Sequence, residues 1–196
     1  MKRVVRAINK ILFYGFLVFG VALLFFDISS ENAMIFSFCS FLASWLLFLF
    51  LKRKGVVNLD FYLLLINIGL WLNVLGEWGA YYTGLFGYDK FLHFAVGFLI
   101  AVITYSYFSK RLKPDKLAIF FSVLGMLCIW EIYEYILFAY FGYPAMGVMV
   151  NGEFIQSPLD DTMFDFIFGS IGSIVYLIFK KEDVSGKIKG IGRRLR

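Results

Sequence analysis

Glu131 and Glu134 interrupt an otherwise apolar run, CIWEIYEYILFAY, at residues 128–140. On a helix this spacing puts both carboxylates on one face, about one turn apart. An isolated carboxylate in hydrocarbon is costly, so the pair needs protons, a polar neighbour or a cation. Three further pairs recur at i, i+4 and so share a helix face: Asn73 with Glu77, Asp89 with His93, and Asp161 with Asp165. His93 is the single histidine of the chain. An aspartate one turn before it is placed to orient the ring and fix its tautomer, as behind a metal-binding imidazole. Carboxylate oxygens with at most one nitrogen suit Mg²⁺, Mn²⁺ or Ca²⁺, and also Zn²⁺ or iron.

The candidate metal ligands are therefore Glu77, His93, Glu131, Glu134, Asp161 and Asp165. Glu131, Glu134 and Asp165 are also the candidate catalytic carboxylates, with Asn73, Asp89 and Gln156 as supporting residues behind them. The plainer readings stand beside this one. A lone membrane histidine often serves as a hydrogen-bonded structural residue, and Asp89, Asp160 and Asp161 suit helix starts. GxSxG, a Walker loop, HExxH and a paired Glu-x-x-His are all missing from the sequence, and no organic cofactor is expected.

The elements that must carry these residues are membrane helices. The 196-residue chain is 61% hydrophobic with a mean hydropathy of +0.78, a membrane composition. Six apolar segments follow one another at residues 11–26, 32–51, 61–85, 91–108, 117–141 and 162–179, most approaching the roughly 20 residues that cross a bilayer core. The first exits through ALLFFDISS, with bulky residues where a signal-peptide cleavage site needs small ones, so an uncleaved helix is expected. Cys39 and Cys128 lie inside apolar runs without a CxxC context, and read as free, buried thiols. The fold expected is an all-α polytopic bundle of six transmembrane helices. It forms a single domain over 1–196, with its motifs at 61–174 and a basic tail at 180–196.

Charge sets the expected orientation. If the segments alternate, 18 of the 19 basic residues fall on one side, leaving only Lys90 on the other. By the positive-inside rule both termini are cytoplasmic and the protein is a multi-pass plasma (inner) membrane protein. The net charge of +5 then belongs to a juxtamembrane cluster facing anionic lipid, and nucleic acid is not an expected partner. The acidic residues lean the other way, with ten of fourteen in the outer half or outer loops. Counted from the cytoplasmic end of each helix at about 1.5 Å per residue, Glu77, His93, Glu131, Glu134 and Asp165 all stand about 22–27 Å high. They form one layer near the outer edge of the hydrocarbon, and His93, Glu131, Glu134 and Asp165 are expected to converge. Gly97, Gly169 and Gly172 lie below them as small residues that permit close helix approach. An internal salt-bridge network looks short of cations, with only Lys90 and His93 facing the acids; hence protons or a bound cation are expected.

The blocks NVLGEWGAYY, YDKFLHFAVGF, WEIYEY and DDTMFDFIFGSIG, in this order and spacing, resemble the YjdF-like inner-membrane proteins. A more distant resemblance is to VanZ-like proteins, which share a DKxxH element, an intramembrane glutamate and a late DxxxD element followed by glycine. The resemblance implies that the acidic and histidine positions of the family fall on Glu77, Asp89, His93, Glu131, Glu134, Asp161 and Asp165. Where VanZ-like chains tend to carry asparagine after the last aspartate, this chain has Gly169. The YjdF-like family has no settled activity, whereas the VanZ-like resemblance points toward envelope lipids.

The longest outer connection, GYPAMGVMVNGEFIQSPLD, reads as a lid over the polar layer or as a plain hairpin. Three functions fit the sequence. The first is a metal-dependent membrane enzyme acting on a lipid headgroup or polyprenyl phosphate, with membrane lipids as its partners. The second is a non-catalytic membrane factor with a structural polar layer. The third is a cation or proton transporter, for which Asn67, Asn73 and Ser122 are sparse stepping stones.

Overall fold

Apolar runs of 20 or more residues leave the backbone no partner but itself, and in a computed structural model of the protein they close into helices. The structure describes residues 2–25, 31–54, 58–78, 87–109, 115–142, 146–150 and 153–180. They form α1 (Lys2–Phe25), α2 (Glu31–Arg53), α3 (Leu59–Trp78), α4 (Tyr88–Phe108), α5 (Lys116–Phe141), β1 (Val148–Val150), β2 (Glu153–Gln156) and α6 (Pro158–Phe179). Among the described residues α1, α3, α4, α5 and α6 are long and apolar enough to cross a membrane, and α2 has 23 residues. The expected all-α bundle is what forms, and most large apolar side chains point outward, as lipid contact requires.

Local signals fix the ends of α5 and α6. The Asp115 side chain accepts from the Leu117 amide at the start of α5, and Gly142 ends that helix in the left-handed conformation. Ser157 caps α6 by accepting from the Asp160 amide, with Pro158 in the first turn. This cap starts α6 four residues before the apolar segment, which puts Asp160 and Asp161 inside the helix. The third apolar segment runs past the end of α3, but residues 79–86 lie outside the described residues. The connection from α5 to α6 is an antiparallel hairpin, with Met149 opposite Phe154 and Val150 opposite Glu153.

The helices pack as two triplets. In the first, α1, α2 and α3 touch one another pairwise; in the second, α4, α5 and α6 do the same, and α3 against α4 is the main seam between them. The first triplet centres on Phe16, stacked on Trp71 with ring centroids 4.8 Å apart, and on Val74. The second centres on Ala101, Ile119, Val123, Leu127 and Leu177. Its most extensive contact is α4 on α6. There a Cβ on Gly97 would overlap the Gly169 carbonyl, and one on Gly172 would overlap the Phe94 carbonyl. The expected small-residue crossing is therefore present, and it is what brings α4 and α6 together below the acidic layer. The cysteines depart from expectation. Both are free, but Cys39 and Cys128 are exposed on their helices. An apolar run in a membrane helix supplies a lipid face as well as a core face, so apolar neighbours alone did not establish burial.

Candidate functional site

The first turn of α4, the second half of α5 and the first two turns of α6 meet at one end of the second triplet. The helices alternate in direction there, so residues far apart in sequence share one height. Asp165, 2% exposed, and Glu131, 6% exposed, are sealed from solvent, and His93 and Asp161 are buried beside them. His93 is the hub. Its Nε2 lies 3.5 Å from Asp89 Oδ1 and 3.7 Å from Asp165 Oδ1, while its Nδ1 lies 3.9 Å from Glu131 Oε1. The expected convergence of His93, Glu131, Glu134 and Asp165 is what the fold produces.

The centre of charge is Lys90, which sequence reasoning used for topology and counted with His93 as a cation facing the acids, but did not place among the site residues. The Lys90 ammonium donates to Asp89 Oδ2 at 2.7 Å, Asp161 Oδ1 at 2.5 Å and Asp165 Oδ1 at 2.7 Å. One lysine thus serves three aspartates, all three of its N–H donors in use. The expectation that a salt-bridge network lacks cations is corrected to this extent: it counted one lysine against many acids without allowing one ammonium to bind three of them. It still holds for the glutamates. Glu131 Oε1 is buried with no hydrogen-bond partner among the described residues. Glu134 Oε1 accepts from the Trp130 indole N–H at 2.7 Å, an i, i+4 contact that holds one oxygen of the carboxylate in place.

Two overlapping groups can offer ligand atoms to a metal ion: Asp89, His93 and Asp165, and His93, Glu131 and Glu134, the atoms of each lying within 4.8 Å of one another. They are not equally open. In the first, Lys90 already holds an oxygen of Asp89 and one of Asp165. In the second, no lysine or arginine forms a salt bridge with Glu131 or Glu134 among the described residues. Two carboxylates face Nε2 and one faces Nδ1, so the ring proton belongs on Nε2 and the lone pair points toward Glu131.

The remaining expected residues fall as follows. Asp161 joins the layer through Lys90 and through the hairpin, since the Gly147 amide donates to its Oδ2 at 2.7 Å. Gly147 sits at φ +76° in close contact with the Gln156 carbonyl, where any side chain would clash. Gln156 is half-buried, and its Nε2 has no hydrogen-bond partner among the described residues. Asn73 is half-buried on α3, and the Glu77 side chain lies outside the described residues. Lys90, Trp130 and Gly147 were missed as site residues. Lys90 carried a signal, as the one basic residue on the acidic side, directly beside Asp89.

Comparison with known proteins agrees with the YjdF-like resemblance. That family's profile, described as "Predicted membrane protein (DUF2238)", matches residues 10–181. A protein of Thermotoga maritima, called "Uncharacterized protein", is 27% identical over 119 residues, covering 56% of this chain and 57% of that protein. The chain thus spans little more than half the length of that relative. No solved structure matches.

Proposed function

Because the chain belongs to this family of membrane proteins, we propose that it is a membrane-embedded divalent-ion protein acting on the phosphate ester of a lipid headgroup. His93 Nδ1, Glu131 and Glu134 hold the ion. The observation that carries this reading is Glu131 Oε1, buried, without a hydrogen-bond partner among the described residues, and 3.9 Å from the imidazole. A buried, unpaired carboxylate oxygen is costly, and a cation is the partner that offsets it. An imidazole with two carboxylates suits Mn²⁺ or Zn²⁺ better than Ca²⁺, which takes about 6–8 oxygens. Three protein ligands leave coordination positions open, as sites that act on substrates require. A bound ion would polarise a phosphoryl oxygen or activate water. On the chain's side, Asp89 and Asp165 orient the imidazole, and Trp130 holds Glu134.

The substrate assignment follows from position. By the charge asymmetry of the sequence the site end faces outward, at the depth where headgroups begin, with both termini in the cytoplasm. The hairpin over this end is the lid of the site. Lys90 on its three aspartates favours a second reading, a non-catalytic factor whose ion pairs fix helix packing. Metal analysis of the full chain purified in mild detergent separates them. About one Mn²⁺ or Zn²⁺ per chain, lost in Glu131→Gln, and metal-dependent phosphate release from phospholipid or polyprenyl phosphate support the enzyme. Bound metal with no release from either lipid leaves an ion-binding factor. No bound metal in the wild-type chain overturns the proposal.

A further inference from the structure

Lys90 is itself a cation in a cation position. Its ammonium takes one oxygen from each of Asp89, Asp161 and Asp165 at 2.5–2.7 Å. Two of these aspartates, with His93, also form one of the two possible ligand groups. The two positions flank opposite edges of the His93 ring. Asp165 Oδ1 accepts from Lys90 and lies 3.7 Å from His93 Nε2, while the other edge of the same ring faces Glu131.

We propose that Lys90 is the specificity-determining residue of the centre. It fills a second cation position on the far edge of the His93 ring, so that the protein takes one divalent ion where its carboxylates could hold two. The inference rests on the ion site of His93, Glu131 and Glu134, and adds what sets its stoichiometry. Tethering favours the lysine. An ammonium attached to the same helix as Asp89 is present at an effective concentration of about millimolar or more, above that of a free trace metal. Charge matters as well. The ammonium brings +1 where a divalent ion would bring +2, which leaves the layer more negative and draws the single ion more strongly to the Glu131 side. A one-ion centre flanked by a saturated ammonium would bind one phosphoryl oxygen through the metal. It would lack the second metal that clamps both attacking and leaving oxygens in two-metal phosphatases.

The test is bound metal per chain, measured on the full protein purified with Mn²⁺ or Zn²⁺. Wild type and Lys90→Arg are expected to hold about one ion, Lys90→Met and Lys90→Ala about two, and the double variant Lys90→Met/Glu131→Gln about one. Retention of the wild-type stoichiometry in Lys90→Met and Lys90→Ala overturns the inference. So does recovery of both only as aggregate in metal-supplemented medium, since the ion is expected to replace the ammonium. A wild type with no ion beside a Lys90→Met variant with one would refute the ion site at Glu131 while supporting the role of Lys90.

Discussion

The two helix triplets bury polar groups in different ways. In α1–α3 these groups are mainly neutral and satisfied. The Asn67 amide donates to Asn9 Oδ1 and accepts from Ser44, Ser37 donates to the Phe16 carbonyl, and Trp71 donates to the Leu12 carbonyl. The one ion pair there among the described residues, Arg6 with Asp60, lies at the exposed far end. In α4–α6 the buried groups are ionisable, crowded and incompletely paired, with five carboxylates around one lysine and one histidine. A satisfied network of amides and hydroxyls locks helix faces together. An acidic cluster with an unpaired oxygen stores unfavourable energy that a ligand can relieve. The first triplet satisfies its buried polar groups, and the second leaves one of its carboxylate oxygens without a hydrogen-bond partner among the described residues.

Three results would break or sharpen that contrast. The largest effect is expected at the α4–α6 crossing. Gly97→Leu should leave no folded protein, and even Gly97→Ala should cost about 3 kcal/mol or more, because the new atoms meet backbone rather than a flexible side chain. A cooperative melt at the wild-type temperature for Gly97→Ala would show that the crossing does not hold the site together.

The next effect is the metal response. Saturating Mn²⁺ at neutral pH should raise detergent stability by about 2.7 kcal/mol at a hundredfold excess over Kd. The gain should shrink at pH 5, because protons compete for the same carboxylates and metal binding must release them. Glu131→Gln should abolish the response, while Glu153→Gln, on the exposed strand β2, should leave it intact. Equal gains at both pH values would assign the metal to some other, non-carboxylate site.

The smallest effect concerns the first triplet. Asn67→Ala removes two buried hydrogen bonds and should cost about 1–3 kcal/mol with the metal response unchanged. If that substitution altered metal binding, the two triplets would be one energetic unit.

Helical phase and height made much of the site legible beforehand. The i, i+4 spacings of Asp89 with His93 and Asp161 with Asp165 set their faces, and counting residues from the basic helix ends gave one layer. Gly97, Gly169 and Gly172 marked the crossing. Lys90 was hidden because one residue carries two kinds of information. As a charge it was counted toward topology, and only the rotation of α4 against α6 shows which acids it reaches. Trp130 was hidden in a different way, since an indole in an apolar run reads as lipid-facing until its N–H is seen to have an acceptor. The cysteines failed for a related reason, as composition does not separate a lipid face from a core face.

Lys90 also has a consequence for biogenesis. Asp161 and Asp165 follow it by 71 and 75 residues. At about 5–20 residues per second, a ribosome delivers them roughly 4–15 s after Lys90. During that interval the charged end of α4 enters the membrane without α6, and of the three aspartates that Lys90 binds in the folded protein only its neighbour Asp89 has been made. The Asp89–Lys90 dipeptide is thus a travelling ion pair that halves the charge problem until the last helix arrives. Replacing Asp89 should therefore slow insertion of α4 as well as remove its contacts to Lys90 and His93 in the finished protein.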